Sequence, residues 1–148
     1  MNKINEKDSK ILAKLKENSK YTVAELAALT EIPITTVHNR IKKMEQKGVI
    51  KNYTLELDHT RMGNSLSAYV MINTSTMLAN GLKVSQEEIA KEIKTLGVEK
   101  VEVLTGGTDI IAKIRVKDVA ELNDFVVKKI RHISGVDKTH TMIVLSEF

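Results

Sequence analysis

Apolar positions recur at helical spacing through the first fifty residues and then turn to an alternation of two. Ile34, Val37, Ile41 and Met44 fall at i, i+3, i+7 and i+10, one stripe on a helix that begins near Pro33 or Ile34 and runs to Lys47. Gly48 stands where a helix C′ glycine belongs. Upstream, Thr22 and Glu25 form an S/T-x-x-E capping box that starts a helix over Thr22–Thr30, with Val23, Leu26, Ala27 and Leu29 as its apolar side. Asp8–Asn18 reads as a helix with Ile11, Leu12 and Leu15 inward. Pro33 separates the second and third helices, because proline lacks an N–H and is tolerated only in a first helical turn. Three helices with a tight turn before the third predict a helix-turn-helix.

Val49–Asp58 approaches a period of two and predicts a strand, either a wing or a linker strand that pairs with another copy. His59–Asn64 is short and polar, and the domain boundary is placed there. The remainder reads β-α-β-β-α-β: strands Ser65–Asn73, Val98–Thr105, Asp109–Lys117 and Val136–Glu147, and helices Gln86–Leu96 and Asp118–Arg131. Ser85 with Glu88 makes a second capping box, and Asp118 is the predicted N-cap of the last helix, whose inward stripe is Val119, Leu122, Val126 and Ile130. That order is the ferredoxin-like split βαβ arrangement, with helices on one sheet face. The other face, carrying Tyr69, Met71 and Ile111, is left for solvent or a partner, which suggests pairing of two copies through the sheet. The expected fold class is therefore α+β: a helix-turn-helix (winged-helix-like) DNA-binding domain over 1–52, a linker strand and hinge over 53–64, and a ferredoxin-like βαββαβ domain over 65–148.

Charge sharpens the division. The 148-residue chain has a net charge of +4; residues 1–52 hold 11 Lys/Arg against 6 Asp/Glu, and the rest 12 against 13. All the excess positive charge thus lies on the segment with the helix-turn-helix pattern, as suits a nucleic-acid module joined to a neutral one. On a helical wheel the face of the third helix opposite its apolar stripe carries Thr35, Asn39, Lys42 and Gln46, flanked by Thr36, His38 and Lys43, with Arg40 nearer the buried edge. Asn can pair bidentately with adenine, Thr can touch a thymine methyl or a phosphate, and Lys can hold phosphate or guanine. Thr35, Thr36, His38 and Asn39 are the candidate base readers, and Lys42, Lys43 and Arg40 the candidate phosphate contacts. The plainer alternatives are a solvated polar face and, for Arg40, an ion pair within the fold. Lys14, Lys16 and Lys20 either touch phosphate or merely solvate the surface.

Other chemistries find little footing. There is no cysteine, so neither a disulfide framework nor a thiolate metal site. His38, His59, His132 and His140 show no close metal-ligand spacing. No nucleophile elbow, phosphate loop or dinucleotide fingerprint occurs, so no enzyme and no cofactor are expected. No apolar run nears the roughly 20 residues of a membrane span, and MNKINEKDSK lacks a signal-peptide core; a soluble, cytoplasmic protein is expected. Gly106-Gly107 lies between two strands and suits a hairpin turn.

The ordered whole resembles the Lrp/AsnC (feast/famine) family of transcription regulators over nearly the full chain. The residues that carry the resemblance are Asp8, Ile11 and Leu12; Leu26 and Ala27; Val37, Arg40 and Ile41; Gly48-Val49-Ile50; Tyr53 and Gly63; Thr105-Gly106 with Asp109; Gly135-Val136; and Thr139 with Thr141. The resemblance implies sequence-specific binding of double-stranded DNA, a homodimer formed through the C-terminal sheets, assembly into octamers or other multimers, and an effector, usually an amino acid, bound between dimers. It implies further that the exposed backbone of the turn at Thr105, Gly106 and Gly107 receives an effector carboxylate, that Thr108 adds a hydroxyl, that Asp109 holds the amino group, and that the loop Ile133–Asp137, with Gly135, is the facing wall. Two departures stand out. Pro33 replaces the serine usual at the start of the recognition helix, so a side-chain cap is lost. Thr74–Val84 is longer than the usual strand-to-helix loop, which implies either a cover over the effector cleft or a changed ring.

Overall fold

The computed structural model describes residues 4–75, 77, 81 and 83–147. The chain divides into two compact units, Met1–Glu56 and Leu57–Phe148.

The first unit is three helices: α1 (Glu6–Glu17), α2 (Val23–Thr30) and α3 (Ile34–Gln46). α1 starts two residues before the prediction because Asn5 caps it: Asn5 Oδ1 accepts from Asp8 N at 2.9 Å, and Asp8 Oδ2 accepts from Asn5 N at 3.2 Å. This Asn-x-x-Asp box does the same work as the Ser/Thr-x-x-Glu pattern, satisfying two leading amides reciprocally. Thr22 and Glu25 form the predicted box at the head of α2. Glu31 turns the chain with a left-handed φ of 57°. Ile32 then drops into the core beside Ile11, Leu26, Val37 and Met44. Two predicted core positions are instead wet: Leu29 is 47% exposed and Ile34 is 51% exposed. Both lie beside the tight turn, where one helix ends and the next begins, at the edge of the buried cluster. After α3, the amides of Val49 and Ile50 both return to Met44 O, at 2.8 and 3.2 Å, around Gly48 at φ 67°.

The predicted strand Val49–Asp58 is not formed within a single copy: residues 51–58 have no strand pairing among the described residues. A lone strand leaves its backbone donors and acceptors unpaired. Leu55 and Leu57 are exposed, and Tyr53 is held instead through its hydroxyl, which donates to Glu45 Oε1 at 2.9 Å. Burial, and then this bond to a carboxylate, push the Tyr53 phenol up to about 12.

The second unit is a four-stranded antiparallel sheet in the order β2-β3-β1-β4, with β1 Leu66–Thr74, β2 Lys100–Val103, β3 Ile110–Val116 and β4 Val136–Ile143. This is the predicted ferredoxin-like topology, with β2 and β4 shorter than expected. Alternation places Ala68, Val70 and Ile72 of β1 and Ile110, Ala112, Ile114 and Val116 of β3 on one face. There they pack with Ile89 and Ile93 of α4 (Gln86–Thr95) and with Leu122, Val126 and Ile130. The predicted helix Asp118–Arg131 is not uniform. α5 (Val119–Asp124) runs into a π-helical turn, Phe125–Lys129, and a 3-10 turn, Ile130–His132. The inward residues Leu122, Val126 and Ile130 are four apart, and an α-helix of 3.6 residues per turn carries such a run progressively round its axis. The wider turn keeps them on the sheet, and Val119, predicted inward, is 60% exposed.

The opposite sheet face carries Tyr69 and Met71 of β1 and Ile111, Lys113 and Arg115 of β3. One end of this face is ionic. Arg115 reaches Glu99 at 2.7 Å and Glu147 at 2.9 Å, and Lys113 reaches Glu99 at 3.2 Å and Glu147 at 2.9 Å. Hydrogen bonds from Lys113 and Arg115 hold the Glu147 carboxyl below its ordinary range. Much of the predicted long loop Thr74–Val84 lies outside the described residues; within it, Met77 and Lys83 form an isolated antiparallel bridge.

Candidate nucleic-acid interface and effector loop

α3 has a high contrast between its two sides. Val37 and Met44 are buried, whereas Thr35, His38, Asn39, Lys42 and Lys43 are exposed and Thr36 is half-buried. Six of the seven predicted DNA-facing residues are therefore brought to one accessible surface on a single rigid element. Pro33 supplies no side-chain cap; its carbonyl accepts from Thr36 N and Val37 N at 2.8 and 3.0 Å. The first turn holds no acid and the last holds Lys43, so the surface is free of anionic side chains until Glu45.

Arg40 is the seventh, and it is turned inward. Its Nη1 donates to Asp8 Oδ1 at 2.9 Å, with side-chain exposures of 29% and 15%. Burial pushes the Asp8 carboxyl up, but the hydrogen bonds from Arg40 and from the Asn5 amide and the charges of Arg40 and Lys43 outweigh it, and the net shift is downward. The ion pair within the fold is thus the arrangement found. It ties α3 to α1 and sets the rotation at which α3 presents its outer face.

In the second unit, β2 and β3 are joined by the loop that contains Thr105, Gly106, Gly107 and Thr108, closed by Leu104 N donating to Asp109 O at 2.7 Å. Thr105, Gly106 and Gly107 are exposed, and Gly106 has φ 122°, a conformation that requires glycine. Neither glycine has a heavy atom within 4 Å of an added Cβ, so the backbone there is open to an incoming molecule. Gly107 O accepts from Asn73 Nδ2 at 2.9 Å. The Thr108 hydroxyl lies 3.9 Å from Met71 Sδ.

Asp109 is engaged within the chain. Its Oδ2 accepts from Thr74 N at 2.7 Å and Thr74 Oγ1 at 3.0 Å, and its Oδ1 accepts from Gln86 Nε2 at 2.9 Å. It thereby joins the loop, the end of β1 and the first turn of α4. Gly135 lies on the other side of that β1 exit, with its carbonyl accepting from Ser75 N at 2.8 Å. At φ 93°, a Cβ there would stand 2.7 Å from both Ile89 Cδ1 and Val84 Cγ1. Close packing alone demands this glycine. Thr74, Gln86 and Asn73, which hold the loop in place, carry no signal in the sequence, since their partners lie 23 to 35 positions away.

Among the described residues, no group of three His, Cys, Asp or Glu converges on a metal-sized site, and no helix is long and apolar enough to cross a membrane.

A three-helix unit with an outward polar-basic third helix, followed by a split-βαβ unit with an open loop at its sheet end, has the architecture of a helix-turn-helix DNA-binding domain joined to a ligand-binding domain. Residues 4–51 match the winged helix-turn-helix DNA-binding model, and residues 67–148 match the Lrp/AsnC ligand-binding domain model. The chain belongs to the Lrp/AsnC family of transcription regulators, which are not enzymes. It is 34% identical over 143 residues to the HTH-type transcriptional regulator FL11 of Pyrococcus horikoshii, covering 96% of this chain and 89% of that one. It is similar in fold to B. subtilis LrpC, with a TM-score of 0.85, 25% identity and coverage of 99% and 98%. A Neisseria meningitidis transcriptional regulator solved as a complex with L-Met shares the fold with a TM-score of 0.86, at 24% identity and coverage of 98% and 92%.

Proposed function

We propose that this protein is a sequence-specific regulator of transcription that works in the cytoplasm as a homodimer or larger assembly of dimers, with its DNA affinity adjusted by an amino acid or similar small metabolite. The observation that carries the DNA half is the two-sidedness of α3: Val37 and Met44 are buried, and Thr35, His38, Asn39, Lys42 and Lys43 all face out. Thr35, Thr36, His38 and Asn39 read base edges, because the leading residues of such a helix are those that reach them in the major groove. Lys42 and Lys43 hold phosphates, and Arg40 positions the helix through Asp8. Pairing of two copies is supported by the open sheet face, where Tyr69 stands across from Lys113 at the edge of the ionic cluster and Met71 and Ile111 lie paired beyond it.

The effector half rests on the open backbone of Gly106 and Gly107, where no heavy atom lies within 4 Å of a Cβ added at either glycine. The amino group of such an effector is met by the rim of the loop rather than by Asp109 alone, whose oxygens already accept from Thr74 and Gln86. The same fold carries L-methionine in the N. meningitidis regulator, a likeness of fold only.

The test is selection of bound duplexes from a random pool at about 0.15 M salt, where weak non-specific binding is disfavoured. Enrichment of a pseudo-palindrome with half-sites about one helical turn, roughly 34 Å, apart is the expected result. Retention of DNA without a motif would make the protein an architectural binder, and retention of nothing in the presence or absence of amino acids would remove the proposal.

A further inference from the structure

Ile34 is the first residue of α3, and it does not serve the core. The buried cluster of the first unit is Ile11, Leu26, Ile32, Val37 and Met44, and Ile34 is absent both from it and from the partly buried residues around it. Half of its surface stands in water, although it continues the apolar stripe by spacing. Its neighbours on the accessible surface are Thr35, next in the chain, and His38, one turn on, both exposed. In front of it is Pro33, which has no side-chain hydrogen bond to the helix and puts no polar group over the isoleucine. A large aliphatic side chain is therefore exposed in the leading turn of α3, beside His38 at the margin of its outer face.

The major-groove edge of DNA offers one apolar protrusion, the C5 methyl of thymine; every other feature there is a hydrogen-bond donor, an acceptor or a C–H. We propose that Ile34 reads a thymine methyl and so fixes one thymine in each half-site, an inference that rests on the DNA-binding function proposed above. The contact removes water from two apolar groups at once. It discriminates against cytosine, which has hydrogen at C5, and against both purines, which present N7 in the same region.

The experiment replaces each thymine of the selected duplex, one at a time, by deoxyuridine, which lacks only the methyl. For the intact protein, one position in each half-site should weaken binding by about 3- to 10-fold, the value of one methyl withdrawn from water. Ile34→Ala should lose a similar factor on the thymine duplex and lose nothing further on the deoxyuridine duplex, while its affinity for random DNA stays that of the intact protein. The deoxyuridine series leaves the protein untouched, so it decides the matter even if Ile34→Ala folds poorly. The inference is overturned if no thymine is sensitive, or if the sensitive thymine costs Ile34→Ala as much as it costs the intact protein, because Thr35 or Thr36 then reads the methyl. If the pool yields no preferred duplex, the DNA-reading function itself fails and this inference falls with it; a motif without methyl sensitivity removes the inference alone.

Discussion

Asp8 and Arg40 lie 32 positions apart and meet at 2.9 Å, so the first helix of the chain sets the angle of the third. Arg40 Nε is buried and has no partner among the described residues, so the guanidinium depends on Asp8 for its neutralisation. Asp8→Asn is expected to lower the stability of the helical unit by about 1.5–3 kcal/mol at neutral pH, the range for a hydrogen bond to a charged group. The carboxyl is held below its ordinary 3.8, so the folded unit favours its ionised form. That contribution is fully present above the ordinary value and is lost as pH falls through the lower folded value. Amide exchange along α1 and α3 against pH should therefore show an acid-sensitive opening that Asp8→Asn abolishes.

Asn39 and Lys42 both face outward from α3, and their substitutions should separate. Asn39→Ala should cost about 1–3 kcal/mol on the preferred duplex and little on random DNA, since a bidentate contact to a base is lost. Lys42→Ala should weaken binding to all sequences alike and reduce the slope of log affinity against log salt by about 0.9, one counterion contact. Titrations of both variants on specific and random duplexes over a salt series check this; equal effects on the two duplexes would refute the division.

Gly107 and Gly135 are both candidate effector contacts, and the structure gives them different reasons to be glycine. Gly135→Ala forces a Cβ into Ile89 and Val84 and strains a backbone at φ 93°. A loss of about 2–4 kcal/mol is expected from overpacking and left-handed strain together, read in urea unfolding. Gly107→Ala meets nothing within 4 Å and should change stability by less than about 0.5 kcal/mol. A loss of amino-acid response in Gly107→Ala would then report on the ligand and not on the fold.

Asp109→Asn tests the junction at the end of β1. One oxygen becomes an amide nitrogen facing donors on Thr74 or Gln86, and a destabilisation of about 1–3 kcal/mol is expected. Faster exchange at the Thr74 amide, with α3 unchanged, is the confirming readout.

Elements with strong local signals were legible in the sequence. Thr22 with Glu25 and Ser85 with Glu88 start α2 and α4 as read, because a capping box is complete within four residues. The alternation of Ile110, Ala112, Ile114 and Val116 marks β3 and its buried face for the same local reason. What escaped depended on distant partners. Ile34 and Leu29 obey the helical spacing, yet about half of each stays in water, since periodicity shows which side is apolar and not how far the core extends. The strand expected over Val49–Asp58 finds no partner among the described residues of one copy, so the wing is not formed, and the linker strand needs the edge of a second copy. In the candidate site, the glycines of the loop were visible as a turn, whereas the hold of Thr74 and Gln86 on Asp109 exists only once the sheet and α4 have formed.

The π turn at Phe125–Lys129 holds one residue more than an α-helix needs to span the same rise. Removing a residue elsewhere in a helix rotates everything after it by about 100° and would swing Ile130 off the sheet. Removing one inside this turn lets it relax to ordinary α geometry with Ile130 still inward. The segment is thus a place where the chain can shorten by a single residue without disturbing β4 beyond it, and an alignment of relatives that lack the wide turn should open its one-residue gap there.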